Sequence, residues 1–158
     1  MGLDEVRVYR EQTVWLLEQL LHLLRDTPVS TLAARPPAAL EGNNMLAIAR
    51  HASAVTRAYA LGMGCGLEVS RNRSTEFNAE AGEAVAIAAE LEGLIESVGR
   101  EFERVLPARL GERFTPEQSL YGTGRPREMS AREAIVENIR HLGVHLGEMR
   151  LTKSILRG

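Results

Sequence analysis

The sequence predicts an all-α fold, a four-helix bundle with long crossover connections. Four segments repeat their apolar residues at the helical period, and no segment alternates convincingly like a strand. The stretches between them run to roughly 12 to 20 residues, longer than a simple up-down-up-down bundle needs, and such lengths suit connections that cross the bundle.

The first helix is expected from about Asp4 to Arg25, where Val6, Tyr9, Val14, Leu17, Leu20, Leu21 and Leu24 share one face. Pro28 and the Pro36-Pro37 pair then force a connection. Asn43 or Asn44 is a suitable N-cap for the second helix, which is alanine-rich and reaches about Gly62. "GMGCGLEVSRNRSTEF" reads as a loop. A third helix starts near Thr75 to Ala79 and continues to about Leu106, with Pro107 ending it or lying just beyond its end. "GERFTPEQSLYGTGRPREM" is the longest irregular segment. "SARE", Ser130 to Glu133, is a capping box that opens the fourth helix, expected to run to about Leu156.

At 158 residues, one domain spanning 1–158 is expected, large enough to bury about two thirds of its unfolded surface. Apolar residues make up 44% and charged residues 25%, an ordinary soluble composition. A net charge of −2 gives no footprint for nucleic acid. Cys65 is the single cysteine, so no intrachain disulfide can form and a reducing compartment fits. The opening "MGLDEVRVYREQ" has early acids and no apolar core, unlike a signal peptide, and no run approaches the roughly 20 apolar residues of a membrane span. A cytoplasmic protein is expected.

The stretch "ENIRHLGVHLGEMRLTKSIL" places two of the four histidines four residues apart. On a helix such residues are separated by about 40° around the axis and about 6 Å along it, so His141 and His145 can aim at one point. With His141 at the origin, Ile135, Ile139, Leu142, Leu146 and Met149 fall at roughly 80° to 160°, the core stripe; His145, Asn138, Thr152 and Glu148 fall in a narrow strip beside it. A strip in that place lines a cleft between helices. A catalytic site of the zinc type has three protein ligands and an open position. His51, on the same face of the second helix as Ile48, Val55 and Tyr59, is the candidate third, and a hydrogen-bonded core histidine is the plain alternative. Three neutral imidazoles suit Zn, Ni, Fe or Mn. The zinc-metalloprotease pattern is absent, because Leu142 stands where H-E-x-x-H needs Glu, and Glu137 precedes His141 by four residues rather than the three of di-iron bundles.

Glu148 is the candidate general base, or else an acceptor behind a ligand; a solvated glutamate is the alternative. Arg50 and Arg57 flank His51 and either hold an anionic substrate or form surface salt bridges. His22 reads as an interface or C-terminal capping histidine, Cys65 as a loop residue rather than a nucleophile, and Tyr59 and Trp15 as packing residues with the option of lining the cleft.

Three stretches together, "NNMLAIARHASAVTRA", "SRNRSTEF" and "SAREAIVENIRHLGVHLGEMRLTKSIL", resemble the DinB-like superfamily, which includes bacillithiol transferases and mycothiol-dependent maleylpyruvate isomerases. The resemblance covers most of the chain; its specific part is the histidine constellation. It implies a DinB-type four-helix bundle, a metal triad of His51, His141 and His145, a homodimer, and transfer or isomerisation assisted by a low-molecular-weight thiol at a divalent metal. The expected activity is thiol S-transfer to a small electrophile such as an epoxide or halide. A hydrolase using the same metal to activate water, or a non-catalytic metal-binding stress protein, are the alternatives. The alanine- and glycine-rich second helix and the long third helix are expected to supply surplus apolar surface for the dimer.

Overall fold

The computed structural model describes residues 2–36 and 42–157. Six helices occur among them: α1 (Gly2–Arg25), α2 (Val29–Ala33), α3 (Met45–Thr56), α4 (Ala84–Phe102), α5 (Gln118–Tyr121) and α6 (Ala131–Arg157). α1, α3, α4 and α6 are the long ones. α1 packs on α4 and α6, and α3 packs on the same two, while α1 and α3 touch little. Consecutive long helices α1 and α3 therefore face each other diagonally, as do α4 and α6. A chain passing between diagonal partners must cross an end of the bundle, which accounts for the length of those two connections. No helix among the described residues is long and apolar enough to cross a membrane.

α1 buries Val6, Leu17, Leu20, Leu21 and Leu24 and leaves Trp15 half exposed, so Trp15 is not a core residue. Pro28 precedes the short helix α2, which the sequence reading lacks and which buries Leu32. The expected break at Pro36-Pro37 falls partly outside the described residues, because Pro37 is not among them.

Asn44, rather than Asn43, caps α3. Its Oδ1 accepts from the Ala47 N–H at 2.8 Å, and its Nδ2 donates to the carbonyls of Ala79 at 2.8 Å and Ala33 at 3.3 Å. One side chain thus starts the helix and ties it to two flanking segments. The helix does not stop at Gly62. It continues as a π-helix over Arg57–Gly64, where the Cys65 N–H donates to the Ala60 carbonyl five residues back. This wider turn packs on α6, and its glycines permit close approach. A Cβ on Gly64 would lie 2.6 Å from Cγ1 of Ile135, and one on Gly62 would lie 2.5 Å from Cγ2 of Val69. The alanines expected to provide surface for a partner are inside: Ala47, Ala49, Ala52, Ala58 and Ala60 are all buried.

The third long helix is shorter than expected at both ends. Residues 73–75 form a single 3₁₀ turn, and the regular helix begins only after a second one, Ala81–Glu83, closed by a capping box between Glu80 and Glu83. At the far end α4 stops at Phe102, and Pro107, beyond the helix end, opens a further 3₁₀ turn. The long irregular segment includes α5 and a two-residue antiparallel ladder, β1 (Arg113–Phe114) with β2 (Met129–Ser130), in which Arg113 pairs with Ser130. Among the described residues this small ladder is the one departure from an all-helical chain. The capping box at Ser130 forms as expected: the Ser130 N–H donates to Glu133 Oε2 at 2.6 Å, and the Glu133 N–H donates to Ser130 Oγ at 3.1 Å. Leu142, Leu146 and Met149 then run down the buried face of α6.

The contact between Gly64 and Ile135 sets how closely the π-helix approaches α6. Gly64→Ala is expected to lower unfolding free energy by about 1–3 kcal/mol through overpacking. Combining it with Ile135→Ala, which removes the obstructing atoms, should cost less than the two single changes added together. Denaturant titration of the four proteins measures this; strict additivity would show that the close approach carries no strain.

Candidate metal centre

α3 and α6 run side by side, and their facing stripes bring the three histidines together. His51 is buried on α3; His141 and His145 stand one turn apart on α6, each partly buried. Nε2 of His141 lies 3.1 Å from Nε2 of His51 and 3.0 Å from Nε2 of His145. One nitrogen from each ring falls within 4.8 Å of the others, a group that could hold a metal ion. The rings of His141 and His145 meet edge to face, with centroids 4.2 Å apart.

The outer nitrogens decide what the inner ones can do. His51 Nδ1–H donates to Oε2 of Glu76 at 2.7 Å. His145 Nδ1–H donates to Oε2 of Glu148 at 2.7 Å. A neutral imidazole carries one proton, and a carboxylate can only accept, so Nε2 of both rings presents a lone pair. Both lone pairs face His141 Nε2. The one proton of His141 can satisfy one of them at most. Placed on Nδ1 it is buried without a partner among the described residues. Burial and the neighbouring charges of His145 and His51 bring His141 down to about 3, so a second proton on that ring is disfavoured at neutral pH. Burial also lowers His145, although Glu148 opposes the shift. Lone pairs converging on one point are relieved by a cation, and the donor set fits a divalent metal of the imidazole-binding type.

Glu76 is the residue that the sequence reading misses. It is 2% exposed, and burial alone would raise its pKa. Hydrogen bonds from His51 and Arg71, with the Arg71 charge, outweigh burial and hold the carboxyl at about 2. Arg71 donates from Nε to Oε1 at 2.6 Å and from Nη2 to Oε2 at 3.0 Å, and its third nitrogen, Nη1, donates to the Leu120 carbonyl at 3.0 Å. Each of the three guanidinium nitrogens thus makes one hydrogen bond. "SRNRSTEF" has no helical period, so its acid and its arginines cannot be assigned to a face from the sequence; the density of charge directly after a glycine-rich stretch was the available signal.

Of the two roles left open for Glu148, its hydrogen bond supports an acceptor behind a ligand; its oxygen meets the outer nitrogen of His145, not the point where the Nε2 atoms converge. Arg50 donates to Glu83 at 2.7 Å and to the Asn78 carbonyl at 2.6 Å, the surface-bridge alternative. His22 lies in the last turn of α1. Cys65 follows the π-helix, and burial and Glu101 push its thiol up to about 12, so it supplies little thiolate at neutral pH. A cavity of about 320 Å³ opens in front of His51 and His141, walled by Val55, Tyr59 and Tyr121 with Arg71 and Arg73 on one side. Tyr59 is buried there and donates its hydroxyl to the Tyr121 carbonyl at 2.9 Å.

The model of the DinB superfamily matches residues 12–149, which is most of the chain and includes all three histidines. The chain belongs to the DinB superfamily. No curated protein and no solved structure matches it. Its membership agrees with the helical architecture and with a three-histidine group able to take a metal in this DinB-superfamily chain.

Metal capacity is directly measurable on protein purified without chelator or a histidine tag. One divalent ion per chain is expected, and His145→Ala should abolish stoichiometric retention. Glu76→Gln should weaken affinity by about 10- to 100-fold, because the amide no longer anchors the His51 proton with a full charge. Unchanged affinity in Glu76→Gln would show that the buried carboxylate serves folding alone.

Proposed function

We propose that His51, His141 and His145 hold a divalent metal ion and that the protein is a thiol-dependent S-transferase acting on small electrophiles. The observation that carries the reading is the convergence of three Nε2 atoms with carboxylates fixing two of the rings from behind. Zn, Ni, Fe or Mn suits three neutral imidazoles. When bound, such an ion would supply Lewis acidity and bring the pKa of a thiol in the cleft toward neutrality.

The remaining work falls to the chain. Glu76 and Glu148 keep the protons of His51 and His145 on Nδ1, so that neither Nε2 is blocked. Val55, Tyr59 and Tyr121 give the electrophile a wall to pack against in front of His51 and His141. In the reaction, the cosubstrate sulfur forms a carbon–sulfur bond while a carbon–halogen or epoxide carbon–oxygen bond breaks. The thiol proton passes to solvent or to the epoxide oxygen. Nothing in this scheme requires Cys65, in keeping with its raised pKa.

The discriminating measurement is thiol consumption by metal-loaded protein with a panel of epoxides and alkyl halides. Metal-dependent loss of thiol that disappears in His141→Ala is expected. Turnover that proceeds equally without thiol would assign the site to hydrolysis, and a loaded protein that turns over nothing would make it a metal-binding protein without catalysis.

The same reading includes a homodimer. The buried alanines of α3 are not its interface; the apolar side chains left exposed on α1 and α6, among them Val8, Trp15, Val144 and Leu151, are the surface a second copy would cover. Gel filtration at micromolar concentration should give a particle of twice the chain mass, shifted to monomer by Trp15→Glu. A monomer in the unaltered protein would remove the dimer from the proposal and leave the metal site as it is.

A further inference from the structure

Two arginines line one side of the cavity in front of His51 and His141, and they differ in one respect. Arg71 is only 3% exposed in its side chain, its charge is met by Glu76, and each of its three nitrogens already donates one hydrogen bond, to Glu76 or the Leu120 carbonyl. Arg73 has no carboxylate partner among the described residues, although ion pairs are numerous elsewhere on this chain. It is partly buried rather than free in solvent. Its guanidinium lies over the ring of Phe77, 5.2 Å from the centroid, and Phe77 in turn packs on His51 with ring centroids 4.9 Å apart. Stacking of this kind holds a guanidinium's plane while leaving its N–H edge available.

The backbone opposite makes room for this arrangement. Gly122 adopts φ +98°, a conformation that L side chains rarely take. A Cβ there would stand 3.1 Å from Nη1 of Arg73 and 3.3 Å from Nη1 of Arg71. The neighbouring Tyr121 and Thr123 also line the cavity and carry hydroxyl groups. The acid on the lining, Glu137, is already paired with Arg140.

We propose that Arg73 is the anchor for a carboxylate on the small molecule that occupies this cavity, with the molecule's other end directed at the histidine cluster. The proposal rests on the function given above, and it narrows the substrate or cosubstrate to a small organic acid. One uncommitted guanidinium matches one carboxylate in charge and in its two-pronged geometry. A phosphate dianion calls for a second cation, and Arg71 is spent on Glu76. The volume of about 320 Å³ is at the small end of the range for ligand sites, and Val55, Tyr59 and Tyr121 favour a short apolar spacer between the two ends.

Calorimetric titration of the metal-loaded protein with 3-mercaptopropionate, propionate and 2-mercaptoethanol tests it. 3-Mercaptopropionate should bind about ten-fold or more tightly than 2-mercaptoethanol. Arg73→Gln should abolish that preference with 2-mercaptoethanol affinity unchanged, and Arg73→Lys should retain part of it; thermal melts confirm that the variants fold. Equal affinities for the two thiols in the unaltered protein, or a preference that survives Arg73→Gln, would overturn the anchor, as would failure of both acids to bind at millimolar concentration. If Arg73→Gln does not fold, a preference undiminished in Arg73→Lys overturns it equally. Propionate binding as tightly as 3-mercaptopropionate, and more weakly in Arg73→Gln, would uphold the anchor while removing the thiol from the proposed reaction.

Discussion

The buried carboxylate of Glu76 is the constraint on which the rest of the site depends. A carboxylate at 2% exposure is tolerated only when its charge is met and its lone pairs are used. Arg71 supplies two hydrogen bonds and His51 a third. The consequences run in both directions along the chain. Toward the site, His51 is held in one tautomer with its other nitrogen bare. Toward the fold, residues 71–77 are drawn against the bundle and cannot become the first turns of α4. The same pull places Phe77 on His51 and Arg73 beside the cavity. The α3–α4 connection joins helices that are neighbours, so its length is not needed for crossing. It is long because it builds one side of the site.

The opposite side is set by packing rather than charge. The π-helix that follows α3 presses on α6 through Gly64 and Ile135, and Thr56 Oγ1 donates to Asn138 Oδ1 at 2.9 Å between the two helices. Both contacts are buried, and on α6 Ile135 and Asn138 lie within two turns of His141. They fix the spacing of α3 and α6, and with it the distance between His51 and the pair on α6. A π-helical segment is costly in isolation and recurs near functional sites. Here small residues make it possible: Ala58, Ala60, Gly62 and Gly64 leave room that larger side chains would fill.

The titratable groups divide by surroundings. His141 is pushed down by burial and by its neighbours, and Cys65 is pushed up by burial, so near neutral pH one is uncharged and the other is protonated. Lone pairs are therefore concentrated at the histidine cluster and the thiol is kept inert. The four long helices also carry many surface ion pairs, such as Arg132 with Glu5, which link α6 to α1 but lie away from this chemistry.

The amino-acid sequence by itself determined the helical class, the buried faces of α1 and α6, the capping box at Ser130 and the alignment of His141 with His145. Each follows from a local period or a short motif, and a period of 3.6 residues is legible without knowing what the helix packs on. It also pointed to His51, through its place on the inner face of α3. What only the tertiary structure decided is everything that depends on contact between distant segments: the distances among the three Nε2 atoms, the carboxylate behind His51, the place of Arg73 beside the cavity, and the late start of α4. Residues 70–77 have no period to read, because their conformation is dictated by Glu76 reaching a histidine 25 residues earlier in the chain. The alanines of α3 show the same limit from the other side. Their small size signals close packing, but whether against this chain or another is settled only by where α4 and α6 lie.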